Sequence, residues 1–464
     1  MLKLHTQAVK ILSDLTTPVS LYLKLREYFP EVLLLESSDY SSKEDSKSFI
    51  CAASLMTLSK DENRITTKNH VWNTISNNDD ISSVDAVSQF IESIKFISGS
   101  DIFKYNGIFG YTSFDNVQEF ESLPFRKDKE NYQIPLLRYD FFRYIIVFDH
   151  FYETLTIVEN RPVDEPSGLQ NIMSIISRQD HQTFSFSLKN TEQSNMPDTY
   201  YLDIVERARQ HCQRGDVFQM VLSRRFYQEF SGDEFNVYRA LRSVNPSPYL
   251  FYFDYGSYKI FGSSPEAQMV VADGMAEIHP IAGTFRRTGN YSEDQQLAQQ
   301  LLQDPKENAE HIMLVDLARN DLSKNCIAVK VEKYREVQFF SHVIHLVSIV
   351  KGRTKTGISA YQIFADTFPA GTLSGAPKHK ALQLIDAYEP TARGFYGGGI
   401  GMIGLDGSLN HAIIIRSFLC KDKKLYYQAG AGIVIDSIPE SELQEVKNKL
   451  AALHRAMEMA EKLG

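Results

Sequence analysis

Apolar and polar positions divide the chain into elements before any composition is counted. In TYYLDIVERARQHCQRGD, Leu202, Val205, Ala208 and Cys212 recur at helical spacing, and Gly215 supplies the stop. FQMVLSRRFYQEF reads as a strand. KIFGSSPEAQMVVADG and MAEIHPIAGTF predict two strands around a turn at Gly274. SEDQQLAQQLLQDPKENAEHIMLVDLARNDL is helical and broken near Pro305. LNHAIIIRSFLC and KLYYQAGAGIVI predict strands joined by the turn KDKK. Over about 440–462, Leu443, Val446, Leu450, Leu453 and Met457 form one apolar stripe, the mark of a packed last helix.

The region 1–180 has strand-like runs at 32–37 (VLLLES), 142–150 (FRYIIVFDH) and 154–160 (TLTIVEN). The polar stretch SSDYSSKEDSKS reads as a loop, and the single Trp72 is expected in the core. Residues 178–198, RQDHQTFSFSLKNTEQSNMPD, are polar and read as a linker or surface connection between regions 1–180 and 195–464. Strands mixed with helices predict an α/β (α+β) layered fold.

Composition narrows the function classes. A net charge of −9 argues against nucleic acid as a partner, because phosphate binding needs a basic surface. It leaves a small anionic substrate open, since that needs only a local cluster of donors. Cys51, Cys212, Cys326 and Cys420 lie far apart with no CxxC pair, which argues against a disulfide framework or a zinc site and for a reducing cytoplasm. The N-terminal MLKLHTQAVKILSDL has no long apolar core of a secretory signal, and no apolar run approaches the ~20 residues of a membrane span.

Candidate chemistry then stands out in a few places. Glu307 and Glu310 share one helix face, as do Glu442 and Glu445. Brought together, the two pairs would offer hard oxygen ligands suited to Mg²⁺, although such pairs are commonly solvated surface. FYGGGIGMIG and QAGAGIVID are rich in glycine but lack a strand–GxGxxG–helix order, and GTLSGAPK is not a Walker loop. Arg416 inside IIIRSF is costly to bury unpaired and is expected to meet an anion. His345, Tyr396 and Glu266 also sit beside apolar strand runs. The residues alone point to an α/β enzyme for a small anion.

AEHIMLVDLARNDL, GTLSGAPK, FYGGGIGMI, AIIIRS and QAGAGIVIDSIPESE, in that order, resemble the chorismate-utilising enzymes, above all the large synthase subunits of anthranilate synthases. The resemblance covers nearly the whole chain. It implies a layered α/β/β/α fold, with two large sheets packed together and helices outside. It implies Glu310 and Glu445 as direct Mg²⁺ ligands, with Glu307 and Glu442 reaching the metal through water. Arg416, Tyr396 and the backbone of Gly430, Ala431 and Gly432 would hold the enolpyruvyl carboxylate of chorismate. Gly283 and Thr284 would border the ring, with Lys378 near the pocket. Glu266, Thr372 and His345 take the catalytic positions, Glu266 as the acid and His345 in the second, eliminating step.

Two positions separate the reactions within this resemblance. Aminodeoxychorismate synthases typically have PIKGT, where the lysine attacks the ring; here that position is Ala282, which leaves the carbon open to ammonia. Isochorismate synthases carry a lysine that activates water; here that position is Gln219. LLLESSD and NPSPYLFYF resemble the feedback site for L-tryptophan, with Ser37, Pro248, Tyr249 and Leu250 as contacts. No cysteine has the setting of an amidotransferase nucleophile, so ammonia is expected from a separate glutamine amidotransferase subunit, in a heterotetramer. Aminodeoxychorismate synthase component I and a non-catalytic tryptophan sensor are the alternatives. The chain departs from the family's commonest pattern at Phe285-Arg286-Arg287-Thr288-Gly289, usually RPRG after PIAGT, and at the SK ending DLARNDLSK.

Overall fold

The computed structural model describes residues 1–37, 46–62, 64–98, 105–339 and 343–463, with the backbone alone at Thr284. The strands form two large sheets that share two long strands. Lys47–Asp61 pairs through Phe49–Ala52 with Val32–Glu36, and through Met56–Asp61 with Arg64–Asn69. Leu137–Asp149, its antiparallel neighbour, pairs with Gly107–Thr112 at one end and Thr154–Pro162 at the other. The register between the two long strands slips between Ser54 and Met56, beside Ala53 in the left-handed region, so a bulge sits where they pass from sheet to sheet.

The first sheet continues from Val32–Glu36 through Tyr249–Asp254, Tyr258–Ser264, Ser417–Lys421, Lys424–Ile433 and Gln219–Gly232. The second runs from Gly107–Thr112 through Gly399–Gly404, Leu409–Ile413, Ala267–Ala272, Met275–Ile278 and Val343–Thr354. Each sheet therefore joins strands from 1–180 to strands from 195–464.

Side-chain alternation explains the layering. Leu33, Cys51, Phe251 and Phe253 point between the sheets, where they meet Phe109, Ile400 and Ala412 of the second sheet. Their neighbours Val32, Leu34, Ile50 and Tyr252 point outward, against Leu21, Tyr201, Tyr238 and Leu450 of the helices on the first sheet. Val87, Val315 and Phe364 of other helices cover the second sheet. Both faces of each sheet are covered, which is why VLLLE reads as a continuous apolar run.

The predicted stop at Gly215 is present at φ +80°, and the last helix, Pro439–Ala460, buries all five residues of its stripe. The break near Pro305 separates Tyr291–Gln303 from Pro305–Ser323, with Asp304 capping the second helix. Other expectations need correction. The polar stretch 178–198 contains the strand Phe186–Ser194, an antiparallel partner of Gln219–Gly232. Phe186 is buried while most of its neighbours face water, so the strand looks like a linker. The two strands around Gly274 are four, because Pro265 and Pro280 interrupt the ladders. AIIIRSFLC is split at 414–416. Trp72 is 55 % exposed and not core. Most of the loop after Ser37 lies outside the described residues.

Candidate active site

The breaks in the strands at Pro265, at Pro280 and at 414–416 build the site. Pro265 ends one strand and Glu266 follows, its carbonyl accepting the Ile413 N–H at 3.0 Å. Arg416 occupies the break between Leu409–Ile413 and Ser417–Lys421 at φ +49°, a conformation costly for a non-glycine residue. Its carbonyl accepts from Ser263 at 3.1 Å, and its guanidinium reaches the Asn245 side-chain oxygen at 3.4 Å. Among the described residues Arg416 has no carboxylate at ion-pair distance; Glu266 acts on its charge from further away.

Glu266 is 9 % exposed, and its carboxyl accepts the Thr372 hydroxyl at 3.0 Å. Burial pushes its pKa up to about 7, against the opposing pull of Thr372, Arg416 and Lys449. A carboxyl so poised holds its proton near neutrality and gives it up readily. His345 lies on Val343–Thr354, opposite Thr284. Its Nδ1 donates to the Gly283 carbonyl at 2.8 Å, which leaves Nε2 as the basic nitrogen. Burial first, then Arg416, pushes its pKa down to about 4 against that hydrogen bond, so the ring is neutral. Gly283 makes a bulge at φ +73°, and a Cβ there would lie 2.8 Å from Leu301 Cδ1 and 3.3 Å from a Glu307 carboxylate oxygen. The side chain of Thr284 lies outside the described residues.

Glu307 belongs to Pro305–Ser323 and Glu442 to Pro439–Ala460. Burial raises both pKa values; Glu310 and Glu445 raise Glu307 further, and Glu445 also raises Glu442. The two helices thus bring the two carboxylate pairs into one field. Glu310 accepts from Gln219 Nε2 at 3.3 Å, and Lys449 pairs with Glu445 at 2.7 Å. Among the described residues no three of His, Cys, Asp and Glu stand close enough to hold a metal ion as they are. The donor set is nevertheless the right kind for a hard divalent cation, with excess negative charge on partly buried oxygens.

Opposite these helices runs Lys424–Ile433. Tyr396 is buried, with the Gly430 backbone near its hydroxyl. Lys449 Nζ donates to the Gly430 carbonyl at 2.8 Å, which ties this strand to the carboxylates. A Cβ on Gly432 would fall 2.4 Å from the Gln219 amide nitrogen. Lys378 is engaged elsewhere: its ammonium meets Asp321 at 2.8 Å and the Thr367 carbonyl at 2.6 Å. On the first sheet Leu250 pairs with Glu36, so Pro248, Tyr249 and Leu250 lie beside Ser37. Glu36 there accepts from the Tyr238 hydroxyl at 2.7 Å and Arg242 at 2.8 Å.

Sequence reasoning missed three residues here. Lys449 carries a signal, four residues after Glu445 on one helix face. Arg393 carries none: fully buried, it pairs with Glu389 at 2.6 Å and donates to the carbonyls of Leu373 and Val221. It thereby fixes the turn holding Thr372 and the loop leading to Tyr396 against the first sheet. Asn245, beside Arg416, was hidden in a turn sequence.

Fold and site together define a class: a two-sheet enzyme with a buried acid, a neutral histidine and an arginine with no carboxylate partner among the described residues, set near two pairs of glutamates. Such a pocket is built for a small anionic substrate. The family model described as chorismate binding enzyme matches residues 32–455, and the chain belongs to that family. It is 36 % identical to anthranilate synthase component 1 of Aquifex aeolicus, over 97 % of this chain and 94 % of that protein. It is 38 % identical to the protein of the same name from Arthrobacter globiformis, over 97 % of this chain and 90 % of that one. The crystal structure of anthranilate synthase component I from Streptococcus pneumoniae superposes with a TM-score of 0.76 at 31 % identity, covering 96 % of this chain and 99 % of that one. The menaquinone-specific isochorismate synthase MenF of Escherichia coli shares the fold, with a TM-score of 0.75 at 18 % identity, over 98 % and 95 % of the two chains.

Proposed function

We propose that the chain is the large subunit of an anthranilate synthase, converting chorismate and ammonia to anthranilate and pyruvate. The observation that carries this reading is Glu266, a buried carboxyl held near neutrality beside Thr372 and in the field of Arg416. In the first step ammonia attacks ring C2, the C4 hydroxyl leaves as water, and Glu266 supplies the proton that makes it a leaving group. Ala282, 6 % exposed, offers no competing amine. Arg416, the Tyr396 hydroxyl and the N–H groups of Gly430–Gly432 bind the enolpyruvyl carboxylate, since a guanidinium fork and backbone donors suit that geometry. In the second step His345, neutral with Nε2 basic, takes the C2 proton of aminodeoxyisochorismate as pyruvate departs.

Glu310 and Glu445, flanked by Glu307 and Glu442, would hold Mg²⁺. A bound Mg²⁺ neutralises and orients the ring carboxylate. Ammonia comes from a separate glutamine amidotransferase in a heterotetramer, and the cell compartment is the cytoplasm. No helix among the described residues is long and apolar enough to cross a membrane. L-Tryptophan binds between Ser37 and Pro248–Leu250 and inhibits. The test is anthranilate fluorescence from purified chain with chorismate, Mg²⁺ and ammonium, with and without L-tryptophan. Fluorescence that needs the metal and falls with tryptophan is the expected result. Chorismate consumed without anthranilate would refute the assignment.

A further inference from the structure

An open cleft of about 470 Å³ lies where Gln219–Gly232 and Tyr249–Asp254 end on the first sheet. That size falls within the roughly 300–1,000 Å³ of small-molecule sites. Pro248 precedes the opposite end of Tyr249–Asp254, so the cleft is separate from the proposed tryptophan contacts. Three cations line it, Arg26, Lys259 and Lys423, with three anions, Asp233, Glu234 and Asp254. These charges balance in number and not in place. Arg26 and Asp233 satisfy each other through two hydrogen bonds, at 2.7 and 3.2 Å. Glu234 and Asp254 share one ammonium, Lys259, at 2.8 and 3.9 Å. Exposed Lys423 has no carboxylate at ion-pair distance among the described residues, and its ammonium lies 5.5 Å from the centre of the Phe230 ring.

Glu234 is 5 % exposed, and its Oε1 meets both the Tyr252 hydroxyl at 3.1 Å and Lys259. Its Oε2 has no hydrogen-bond partner among the described residues and is not sealed from solvent, so it opens on the cleft. A carboxylate oxygen on so buried a residue calls for a donor. Asp254 is also under-neutralised. Burial, with Glu234 and Glu31, holds its pKa up at about 6 against the pull of Lys259 and the Gly256 N–H.

We propose that this cleft binds a free amino acid with an apolar side chain, its ammonium on Glu234 Oε2 and Asp254, its carboxylate on Lys423 and its side chain against Phe184. A zwitterion fits because the surplus of acid lies on the buried side and the unpaired cation on the exposed rim. An amine alone would meet three cations with nothing to offer Lys423, and a carboxylate alone would meet Glu234 and Asp254. Phe184 lines the cleft and is 56 % exposed, while its carbonyl accepts from Asn236 at 2.8 Å, which fixes it beside the helix Phe235–Val244. The site stands apart from the reaction proposed above and needs none of its residues.

The experiment is calorimetric titration of the full chain with L-phenylalanine, L-leucine and L-methionine. At least one should bind with a Kd near or below about 1 mM. The amine and the acid that each lack one charged group, 2-phenylethylamine and 3-phenylpropionate for L-phenylalanine, should bind at least about tenfold more weakly than their amino acid. Glu234→Gln should weaken the amino acid at least about tenfold. Because Glu234 is buried and paired, Lys423→Gln on the rim is the second variant; it should weaken the amino acid and leave the amine unchanged. Hydrogen exchange with the bound amino acid should show protection at 232–236 and 254–259. No binding of any of the three up to about 10 mM overturns the proposal. So does an amine or acid that binds as tightly as its amino acid, an affinity unmoved in both variants, or protection confined to 32–37 and 248–250. No chorismate is used, so each of these outcomes leaves the reading of the reaction to its own test.

Discussion

At the scale of single residues the site depends on environment more than on identity. Glu266 is ordinary in composition and becomes an acid of about 7 because burial opposes its charge. Removing the proton with Glu266→Gln should lower kcat by about 10²–10⁴-fold while KM for chorismate moves little. The acid must be protonated to act, so kcat/KM at constant free ammonia should fall as pH rises through about 7. The glutamine variant should lose that limb, which a pH–rate profile measures directly. Ala282→Lys tests the other half of the chemistry. An amine there competes with ammonia for the ring, so anthranilate formation should drop at least about tenfold. Unchanged anthranilate yield would remove Ala282 as the discriminating position.

Elements hold these residues at fixed distances, and two hold more than the sequence suggested. The Arg393–Glu389 pair links the Thr372 turn, the Tyr396 loop and the strand Gln219–Gly232, where Glu389 also accepts from Ser223 at 2.8 Å. Truncating one partner leaves a buried charge unpaired, so Arg393→Ala should cost about 3–5 kcal/mol, read by chemical denaturation. A loss under about 1 kcal/mol would mean the pair is solvated. Asn245 braces Arg416 from its side chain and is itself braced by Ser263 at 3.3 Å. Asn245→Ala should therefore raise KM for chorismate more than it lowers kcat, about three- to tenfold by steady-state kinetics.

Across the molecule, His311, His345 and His411 are buried and contribute to the response to acid. Burial holds His311 and His345 near 4 and His411 near 3, and His411 packs against Tyr139 and Phe364 with neither ring nitrogen partnered among the described residues. All three are therefore depressed bases, neutral when folded and protonated when unfolded below about 6.5. Their contribution is complete above about pH 6.5 and is lost as pH falls towards 4, where the unfolded chain binds the extra protons. Thermal melts should show Tm dropping over that window, and His411→Phe should flatten the drop. A Tm independent of pH between 4 and 6.5 would contradict the buried, neutral state.

The sequence by itself determined the elements with strong local signals, because helical spacing, proline and left-handed glycine act within a few residues. The last helix, the stop at Gly215 and the break at Pro305 are of this kind. Motif order was enough to assign the family, and candidates such as Glu266, His345 and Arg416 were visible in it. Tertiary structure alone decided the rest. A strand at 186–194 exists because Gln219–Gly232 offers it a partner, and nothing local in a polar stretch announces that. Two glutamate pairs about 130 residues apart share one field because their helices pack on different sheets that meet there. Lys378 spends its charge on Asp321, and Arg393 spends its own inside the core, because burial demands a partner and sequence spacing does not reveal it. Local rules chose which residues could do chemistry; the folding of two sheets over one pocket chose which of them meet.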